Sequence, residues 1–483
     1  MLSPHLDLLE DGSLPGRWVR RWNERSAWPQ LRDVDGTWIS SVELEERTRL
    51  AADGLIGLGL TAGDRIVISA ESSAALVVAY VAALRAGLVV VPINTAYTQG
   101  EVARIVADAR PAAAIVDDDT RGRWIADAGE ARTRVLSVDL ALPAAPAADL
   151  DRAGSDDAAL LVYTSGTTGR PKGALLTHGN LLSSATAVAT SWRWTPEDRL
   201  LLALPLFHLH GLGVGVNGTL SAGAAVSLRP RFDADDVASR ARAAEATMFF
   251  GVPAMYQRLD AAGRAGDLAG LRLIVSGSAP LAPPLAESVA AAAGQMPRER
   301  YGMTETVMLT GNPYDGPRKP GTVGFPFPGV EVRLADTGEI EVRGPNVIGG
   351  YYEQPEATAE AFTADGWFRT GDLGEHDEDG YLRIVGRSKD LIISGGYNVH
   401  PREVEEALLA HPAVADVAVV GRPSERWGEE VTAFVVLDES CGPDELRAYA
   451  AERLAPYKVP KSVEFIDELP RNALGKVLRN ELR

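Results

Sequence analysis

Runs of β-branched residues alternate with Ala-rich stretches along the first third of the chain. The runs predict strands at residues 65–69, 87–92 and 112–116. The stretches between them predict helices at residues 73–84 and 101–109. Strands that alternate with helices are typical of βαβ units, so this part of the chain is expected to form parallel sheet.

The alternation continues further along the chain and then changes. A strand at residues 160–163 leads into a Gly/Ser/Thr loop, a helix begins at about Asn180, and another strand is expected at residues 271–275. From about Gly321 short strands and turns take over, as at residues 338–343. A small α+β unit closes the chain, with a helix predicted at residues 403–410 and a strand at residues 414–420. We therefore predict an α/β fold: a large N-terminal domain of βαβ subdomains with parallel sheets and a small β-rich part, then a small α+β C-terminal domain.

The most apolar stretch, residues 75–93, is long enough to be compared with a membrane span. Arg85 lies in its middle, and Gly87 and Pro92 interrupt it. A buried helix followed by a buried strand explains this pattern better, so no membrane span is predicted.

Composition and charge exclude several classes of protein. The chain has 483 residues, 46% of them hydrophobic and 24% charged, as in ordinary globular proteins. Its one cysteine, Cys441, excludes an internal disulfide framework and a Cys-rich zinc site, and it fits a reducing, cytoplasmic location. The net charge of −18 argues against nucleic acid as the main partner. The N-terminus lacks the basic start and apolar run of a signal peptide. Neither composition nor charge indicates how many copies of the chain associate.

A loop rich in glycine and hydroxyl residues follows the apolar strand that ends near Tyr163. Glycines let a backbone approach an anion closely, while hydroxyl and amide groups donate to phosphate oxygens. A Walker A loop would need Ser or Thr directly after its lysine, and Gly173 stands there instead, so a P-loop NTPase is disfavoured. The residues predicted to hold phosphate are Thr164, Ser165, Gly166, Thr167, Thr168, Gly169 and Lys172.

This run resembles the phosphate loop of the acyl-adenylate-forming enzymes, a superfamily that includes acyl-CoA synthetases, peptide-synthetase adenylation domains and luciferases. The resemblance extends from about residue 40 to the end of the chain. It implies ATP, Mg²⁺ and CoA as cofactors and substrates. It also implies a division into an N-terminal domain, residues 1–386, and a mobile C-terminal domain, residues 387–483, with a hinge at Lys389.

The segment at residues 299–306 resembles the family's second nucleotide motif. The resemblance implies that the Tyr301 ring stacks on adenine, that the Thr304 hydroxyl reaches the α-phosphate, and that Glu305 holds Mg²⁺. A carboxylate suits this role because a polyphosphate leaving group needs a hard cation bound through oxygen. Gly302 and Met303 complete the implied nucleotide contacts.

Three further segments resemble parts of the nucleotide and CoA sites. Asp372 and Arg387 match the ribose-binding residues, and a carboxylate suits a diol because it offers only acceptors. The implied adenine-pocket wall is Ser278, Ala279 and Pro280, with Ser276 on the acyl side, and the implied CoA contacts are Gly395, Gly396 and Tyr397.

Lys476 lies in a segment that resembles the family's C-terminal catalytic loop. The reaction joins two anions, so a mobile cation would neutralise the charge that develops between the carboxylate and the α-phosphate. His208 and His210 stand two residues apart in an apolar run, which is a poor metal-binding spacing without a third ligand. The resemblance places His208 at the acyl pocket, next to the nucleotide.

Arg300 occupies a position where most family members have a small residue. Together with its neighbours it resembles the malonyl-CoA and methylmalonyl-CoA synthetases. A buried guanidinium would find no partner in an alkyl tail, whereas a second carboxylate offers a bidentate pair. Arg231 and Arg258 are weaker candidates for the same task, and a structural salt bridge from Arg300 to Glu299 or Glu305 is the alternative.

The sequence therefore predicts an AMP-forming acid–CoA ligase for malonate or methylmalonate. A CoA ligase for another short, medium-chain or aryl acid remains open. An adenylation enzyme that loads a carrier protein is less expected, because the sequence has no carrier domain after its last predicted motif. A non-enzymatic scaffold is disfavoured because Lys476 and Glu305 are both present.

Overall fold

The computed structural model describes residues 6–129, 133–164, 172–424, 426–471 and 475–483. The helices in chain order are α1 (Leu14–Glu24), α2 (Ser41–Gly57), α3 (Ala74–Arg85), α4 (Gln99–Ala109), α5 (Asp119–Ala128), α6 (His178–Ser191), α7 (Asn217–Ala222), α8 (Ala234–Arg242), α9 (Pro253–Ala261), α10 (Pro283–Ala293), α11 (Pro355–Ala361), α12 (Pro401–Leu409) and α13 (Pro443–Ala451).

The strands in chain order are β1 (Pro29–Arg32), β2 (Trp38–Ser40), β3 (Arg65–Ser69), β4 (Val89–Pro92), β5 (Ala113–Val116), β6 (Arg134–Ser137), β7 (Ala158–Thr164), β8 (Lys172–Thr177), β9 (Arg199–Leu202), β10 (Ala225–Leu228), β11 (Met248–Gly251), β12 (Leu273–Ser276), β13 (Arg298–Tyr301), β14 (Thr310–Gly311), β15 (Phe325–Pro326), β16 (Glu331–Leu334), β17 (Glu339–Arg343), β18 (Phe368–His376), β19 (Leu382–Arg387), β20 (Ile392–Ser394), β21 (Tyr397–Val399), β22 (Val414–Ser424), β23 (Gly428–Leu437) and β24 (Ser462–Phe465).

Two largely parallel sheets form the body of the molecule. The six-stranded sheet has the order β6-β5-β3-β4-β7-β8, and the nine-stranded sheet has the order β15-β14-β13-β12-β11-β9-β10-β1-β2. In the first sheet β3 pairs in parallel with β4 and β5, and in the second β12 pairs in parallel with β11 and β13. The predicted α/β class with parallel sheets is confirmed.

Helix α3 and strand β4 account for the long apolar stretch. The Ser73 hydroxyl caps α3 by accepting from the Leu76 backbone, and the helix is apolar on all sides because it is buried. Arg85 is 4% exposed, and its guanidinium pairs with Glu45 and Asp151. A buried cation needs such partners. Among the described residues, no helix is long and apolar enough to cross a membrane.

Two smaller sheets follow the parallel ones. Strands β16, β17, β18 and β19 form an antiparallel sheet that ends at Arg387. A 3₁₀ turn at Ser388–Asp390 separates it from a five-stranded sheet with the order β21-β20-β23-β22 and β24 beside β23. Helices α12 and α13 pack against this last sheet through a core of their own. We refer to the parts before and after the turn as the large lobe and the small lobe.

Candidate active site

The predicted nucleotide motifs emerge side by side at one edge of the nine-stranded sheet. Strands β11, β12 and β13 are parallel neighbours that end at Gly251, Ser276 and Tyr301. Ligands of parallel sheets bind at the carboxyl ends of the strands, so this edge is where a site is expected. Ser278, just past β12, has a left-handed backbone with φ of 69°. A non-glycine residue in that conformation carries strain, which clusters at functional sites.

Tyr301 and Arg387 share the carboxylate of Asp372. The Tyr301 hydroxyl donates to Asp372 Oδ2 at 2.6 Å, and Arg387 Nε lies 2.9 Å from Asp372 Oδ1. Burial and the charge of Asp372 raise the pKa of Tyr301 well above its usual range, so the phenol stays a donor. The three residues predicted to hold adenine and ribose are therefore in direct contact.

Glu305 and Lys172 face a third residue, Tyr351. Glu305 is 6% exposed, and its Oε1 accepts from the Tyr351 hydroxyl at 3.0 Å. Burial raises the pKa of Glu305, while the Tyr351 hydroxyl opposes that shift. The ammonium of Lys172 lies 5.1 Å from the centre of the Tyr351 ring. The predicted magnesium ligand and the predicted phosphate lysine thus meet at one aromatic side chain.

The loop that carries Thr304 and Glu305 turns sharply. A Cβ on Gly302 would lie 2.1 Å from the Val307 carbonyl oxygen, so only glycine fits this close approach. The Asn346 amide donates to the carbonyls of Thr306 and Met308 at 2.7 and 2.9 Å. These contacts fix the loop from outside.

Most of the predicted phosphate loop lies outside the described residues. Ser165, Gly166, Thr167, Thr168 and Gly169 fall in that gap. The described ends, Thr164 and Lys172, are directly paired across the β7–β8 hairpin.

Arg300 is buried without a partner among the described residues. It is 7% exposed, it makes no ion pair there, and its Nε and Nη2 atoms have no hydrogen-bond acceptor. Burial lowers its pKa to about 10. A Cβ on Gly277 would lie 2.3 Å from Arg300 Nε, so the glycine makes room for the guanidinium. The described residues provide no structural salt bridge from Arg300 to Glu299 or Glu305.

Other polar atoms beside Arg300 also have no partner in the described part of the chain. Ser276 Oγ and His210 Nε2 are buried and unpaired there, while His210 Nδ1 lies 3.1 Å from Ser278 Oγ. His208 Nδ1 accepts from the His210 backbone at 3.2 Å. Burial, with the charges of Arg300 and Lys476, lowers the pKa of His208 to about 4, so its ring is neutral at pH 7. Buried polar atoms without partners require an explanation, and a bound ligand is one.

A cavity of about 470 Å³ opens between the two lobes. Phe207, Arg231, Val252 and Arg258 line it on the large lobe, and Gly475 lines it on the small lobe. The two arginines proposed as helpers of Arg300 therefore face one space, next to the loop that carries Lys476.

Lys476 belongs to the small lobe, and its ammonium feels the charges of Arg387 and Asp372, two of the predicted nucleotide residues. Much of its side chain is accessible to solvent, yet desolvation near the ammonium and the charge of Arg387 lower its pKa to about 8. Asp372 acts in the opposite direction. Lys389 is exposed in the turn between the lobes, and burial of its ammonium and the charge of Arg387 lower its pKa.

The predicted CoA segment lies on the surface of the small lobe. Gly395 and Gly396 both have left-handed backbones, with φ of 59° and 81°. The Trp427 ring lies beside Gly395, where a Cβ would come within 3.1 Å of it. Tyr397 is 58% exposed and stacks on Tyr457 with ring centroids 4.6 Å apart. This surface offers flat apolar faces next to a glycine turn.

One cluster of metal-ligand residues occurs in the described chain, at His411, Cys441 and Glu445. The Ala413 backbone donates to His411 Nδ1 at 3.2 Å, so the neutral ring carries its proton on Nε2. That protonated nitrogen lies 3.9 Å from Glu445. An ion at Nε2 would require this proton to move to Nδ1 and the hydrogen bond from Ala413 to break, and we assign no ion to the cluster.

Sequence reasoning missed Tyr351 and Asn346. Both lie in the segment Gly344–Tyr352, whose glycines and apolar residues indicate a turn and little chemistry. The one signal in the sequence was that Tyr351 and Asn346 place a phenol and an amide in an otherwise apolar turn.

Comparison with known proteins identifies the family. Residues 17–352 match the family model described as AMP-binding enzyme, and residues 403–476 match that of the AMP-binding enzyme C-terminal domain. The chain belongs to the AMP-binding enzyme family. It is an AMP-forming acid–CoA ligase, which uses ATP, CoA and a carboxylate with the usual Mg²⁺ requirement.

The ligase is similar to enzymes that act on different acids. It is 39% identical to a feruloyl-CoA synthase from Amycolatopsis sp, over 97% of this chain and 98% of that protein. It is 37% identical to a mitochondrial malonate–CoA ligase from Mus musculus, over 91% of this chain and 85% of that protein.

The solved structure of ATP-bound MatB from Rhodopseudomonas palustris aligns with a TM-score of 0.93, at 40% identity and 98% coverage of both chains. Apo MatB aligns with a TM-score of 0.83 at the same identity and coverage. Identity and coverage are the same in both comparisons, so the higher TM-score means that the ligase is closer in conformation to the ATP-bound form.

Proposed function

We propose that this ligase activates a small dicarboxylate, malonate or methylmalonate, as its CoA thioester. The observation that carries the proposal is the buried guanidinium of Arg300, whose Nε and Nη2 have no acceptor among the described residues. Leaving a buried charge without a partner costs about 3–5 kcal/mol, and a substrate carboxylate would remove that cost. A bidentate, charge-assisted pair is the contact that an arginine makes best.

The relatives alone do not distinguish between substrates. A malonate–CoA ligase and a feruloyl-CoA synthase are almost equally similar to this chain. An aryl or alkyl tail would leave the guanidinium unpaired, whereas the distal carboxylate of malonate would pair with it. Arg231 and Arg258, which line the neighbouring cavity, add positive charge that favours an anionic substrate.

The proposed first half-reaction joins the substrate carboxylate to ATP. A carboxylate oxygen forms a bond to the α-phosphorus while the bond to pyrophosphate breaks. Lys476 supplies positive charge between the two anions, and Thr304 with the phosphate loop donates to phosphate oxygens. Glu305, whose buried carboxylate accepts from the Tyr351 hydroxyl, would hold the Mg²⁺ that neutralises the leaving group when bound. Tyr301, Asp372 and Arg387 would orient the adenosine.

The proposed second half-reaction transfers the acyl group to CoA. The small lobe turns about Lys389, which withdraws Lys476 and brings Gly395, Gly396 and Tyr397 to the path of the thiol. The thiol loses its proton to solvent, the sulfur bonds to the acyl carbon, and the bond from that carbon to the AMP oxygen breaks. The division into residues 1–386 and 387–483 is the one that this motion requires.

The cytoplasm remains the proposed location, because a chain with one cysteine suits a reducing compartment.

An aryl substrate is the second candidate, since the feruloyl-CoA synthase covers nearly the whole chain. CoA-dependent AMP formation should be measured with malonate, methylmalonate, succinate, acetate, octanoate, benzoate and ferulate at equal concentration. The dicarboxylate proposal expects the two malonates to exceed the others by at least tenfold in kcat/KM. Higher turnover of ferulate or benzoate would support the aryl candidate and overturn the dicarboxylate.

The variant Arg300→Met tests the observation itself. It should lower kcat/KM for malonate by roughly 10²- to 10⁴-fold, which corresponds to losing about 3–5 kcal/mol. Acetate has no second carboxylate, so its turnover should change less than about threefold. Equal loss on both acids would show that Arg300 has only a structural role.

A further inference from the structure

The two lobes are joined by a compact set of polar contacts away from the nucleotide residues. Arg383 on β19 belongs to the large lobe, while Arg402 and Glu406 stand one turn apart on α12 of the small lobe. Glu406 accepts from Arg402 Nε at 2.8 Å and from Arg383 Nη2 at 2.5 Å. We call Arg383, Arg402 and Glu406 the interlobe clamp.

The Arg402 side chain also contacts two backbone carbonyls of the large lobe. Its Nη1 donates to the Ile384 carbonyl at 2.6 Å, and its Nη2 lies 3.5 Å from the Gly321 carbonyl. The side chain of Arg402 is 12% exposed and that of Glu406 is 24% exposed. Arg402 and Glu406 are therefore shielded more than the partners of an ordinary surface ion pair, which contributes little, whereas Arg383 is 40% exposed.

Gly321 connects the clamp to the strand that carries Arg300. Its backbone N–H donates to the buried carboxylate of Glu299 at 2.9 Å, while its carbonyl faces Arg402. Burial raises the pKa of Glu299 to about 7, and the positive charge of Arg402 acts against that shift. Glu299 directly precedes Arg300 and Tyr301 on β13. The clamp is thus linked, through Gly321 and Glu299, to the strand that carries the predicted acyl and adenine residues.

The clamp contacts that join the two lobes exist in only one orientation of the small lobe. Arg383 and Glu406 lie on opposite sides of the turn at Ser388–Asp390, so rotation about that turn must separate them. The pair between Arg402 and Glu406 lies within α12 and would move as a unit. In the orientation described, Gly475 packs near Ala254. The charges of Arg387 and Asp372 shift the pKa of the Lys476 ammonium.

We propose that the interlobe clamp holds the small lobe in the orientation that presents Lys476 to the nucleotide site. Arg402 and Glu406 are then positioning residues for the first half-reaction, and they contact neither substrate. The closer agreement with ATP-bound than with apo MatB is consistent with this orientation. The inference rests on the proposed function, because it assumes two half-reactions that use two orientations of the small lobe.

The two half-reactions should be measured separately on the full chain. Acid-dependent exchange of labelled pyrophosphate into ATP, without CoA, reports the first. AMP release after CoA is added to preformed acyl-adenylate reports the second. Glu406→Gln and Arg402→Met each break contacts between the lobes. Glu331→Gln is the matched control, because it removes one acidic partner of an exposed ion pair with Arg343 inside the large lobe.

Both clamp variants should lower the maximal exchange rate by about 5- to 20-fold. The KM for ATP should stay within twofold, because the nucleotide residues are untouched, and thiolation should be unchanged or faster. The Glu331 control should match the unaltered protein in both assays. Unchanged exchange in both clamp variants, or equal loss in both half-reactions, would overturn the inference.

The same measurements separate failure of the clamp from failure of the proposed function. If the unaltered protein catalyses exchange with malonate but the clamp variants behave like the control, only the clamp is wrong. If the unaltered protein catalyses exchange only with another acid, such as ferulate, the dicarboxylate function fails, and the clamp variants are then compared with the control on that acid.

Discussion

The hydroxyl of Tyr301 donates to the carboxylate of Asp372 at 2.6 Å, although 71 residues separate the two in the chain. The contact joins the end of β13 to β18, and therefore links the large parallel sheet to the small antiparallel one. Arg387 completes the contact from the last residue of β19. The predicted nucleotide site thus lies where two sheets meet.

The variant Tyr301→Phe should weaken nucleotide binding. The ring that is proposed to stack on adenine remains, but Asp372 loses one donor. A hydrogen bond to a charged group contributes about 1.5–3 kcal/mol, so the Kd for ATP should rise by roughly tenfold or more. Equilibrium binding measures this effect. Tyr80→Phe is the control, because the Tyr80 hydroxyl donates to Asn217 away from the site; equal weakening by both variants would contradict the assignment.

The variant Tyr351→Phe should increase the Mg²⁺ concentration needed for half-maximal activity, and the increase should be larger at low pH than at high pH. Without the Tyr351 hydroxyl, the pKa of Glu305 rises beyond the increase that burial already causes. Mg²⁺ must then compete with a proton for the carboxylate. The defect should therefore shrink as the pH rises, and a defect that does not depend on pH would refute this explanation.

The pH profile of the first half-reaction should depend on Lys476. Its pKa is lowered to about 8, so the free enzyme loses this cation as the pH rises through 8. The kcat/KM for exchange, which reports the free enzyme, should fall above that pH. The limb for kcat should lie at higher pH, because bound phosphates stabilise the ammonium. Lys476→Arg should remove the limb from whatever activity remains.

The variant Lys476→Ala should affect the two half-reactions unequally. Removing a charge that stabilises a transition state typically costs about 10²- to 10³-fold in rate. We expect that loss in pyrophosphate exchange. Thiolation of preformed acyl-adenylate should stay within about threefold, and equal loss in both steps would contradict the proposed division of labour.

The variant Arg300→Met should stabilise the protein in the absence of substrate. Replacing an unpaired buried charge by an apolar side chain of similar size removes a desolvation cost, and such replacements stabilise by about 1–4 kcal/mol. The midpoint of urea unfolding should rise. Added malonate should stabilise the unaltered protein and have little effect on the variant, whereas a destabilised variant would indicate that Arg300 has a partner in the fold.

Local patterns predicted many elements of the large lobe well. Strand β3 has the predicted bounds, and α3 and β4 resolve the apolar stretch as expected. Helix α3 and strand β4 are buried, and burial explains both their apolar composition and the elements they form. Bounds that depend on pairing were less accurate. Strand β22 continues to Ser424, beyond the predicted end at Val420, because its partner β23 extends the ladder to Gly428.

The family, the α/β class and the residue types that chemistry at a phosphate requires could all be predicted before the structure. These depend on short motifs and on local periodicity, which survive without knowledge of distant contacts. Three features became visible only in the tertiary structure. The Tyr351 hydroxyl donates to Glu305, Arg383 on β19 pairs with Glu406 on α12, and Arg300 is buried without a partner in the described chain. Such facts depend on which atoms share a buried space, and no local pattern encodes that.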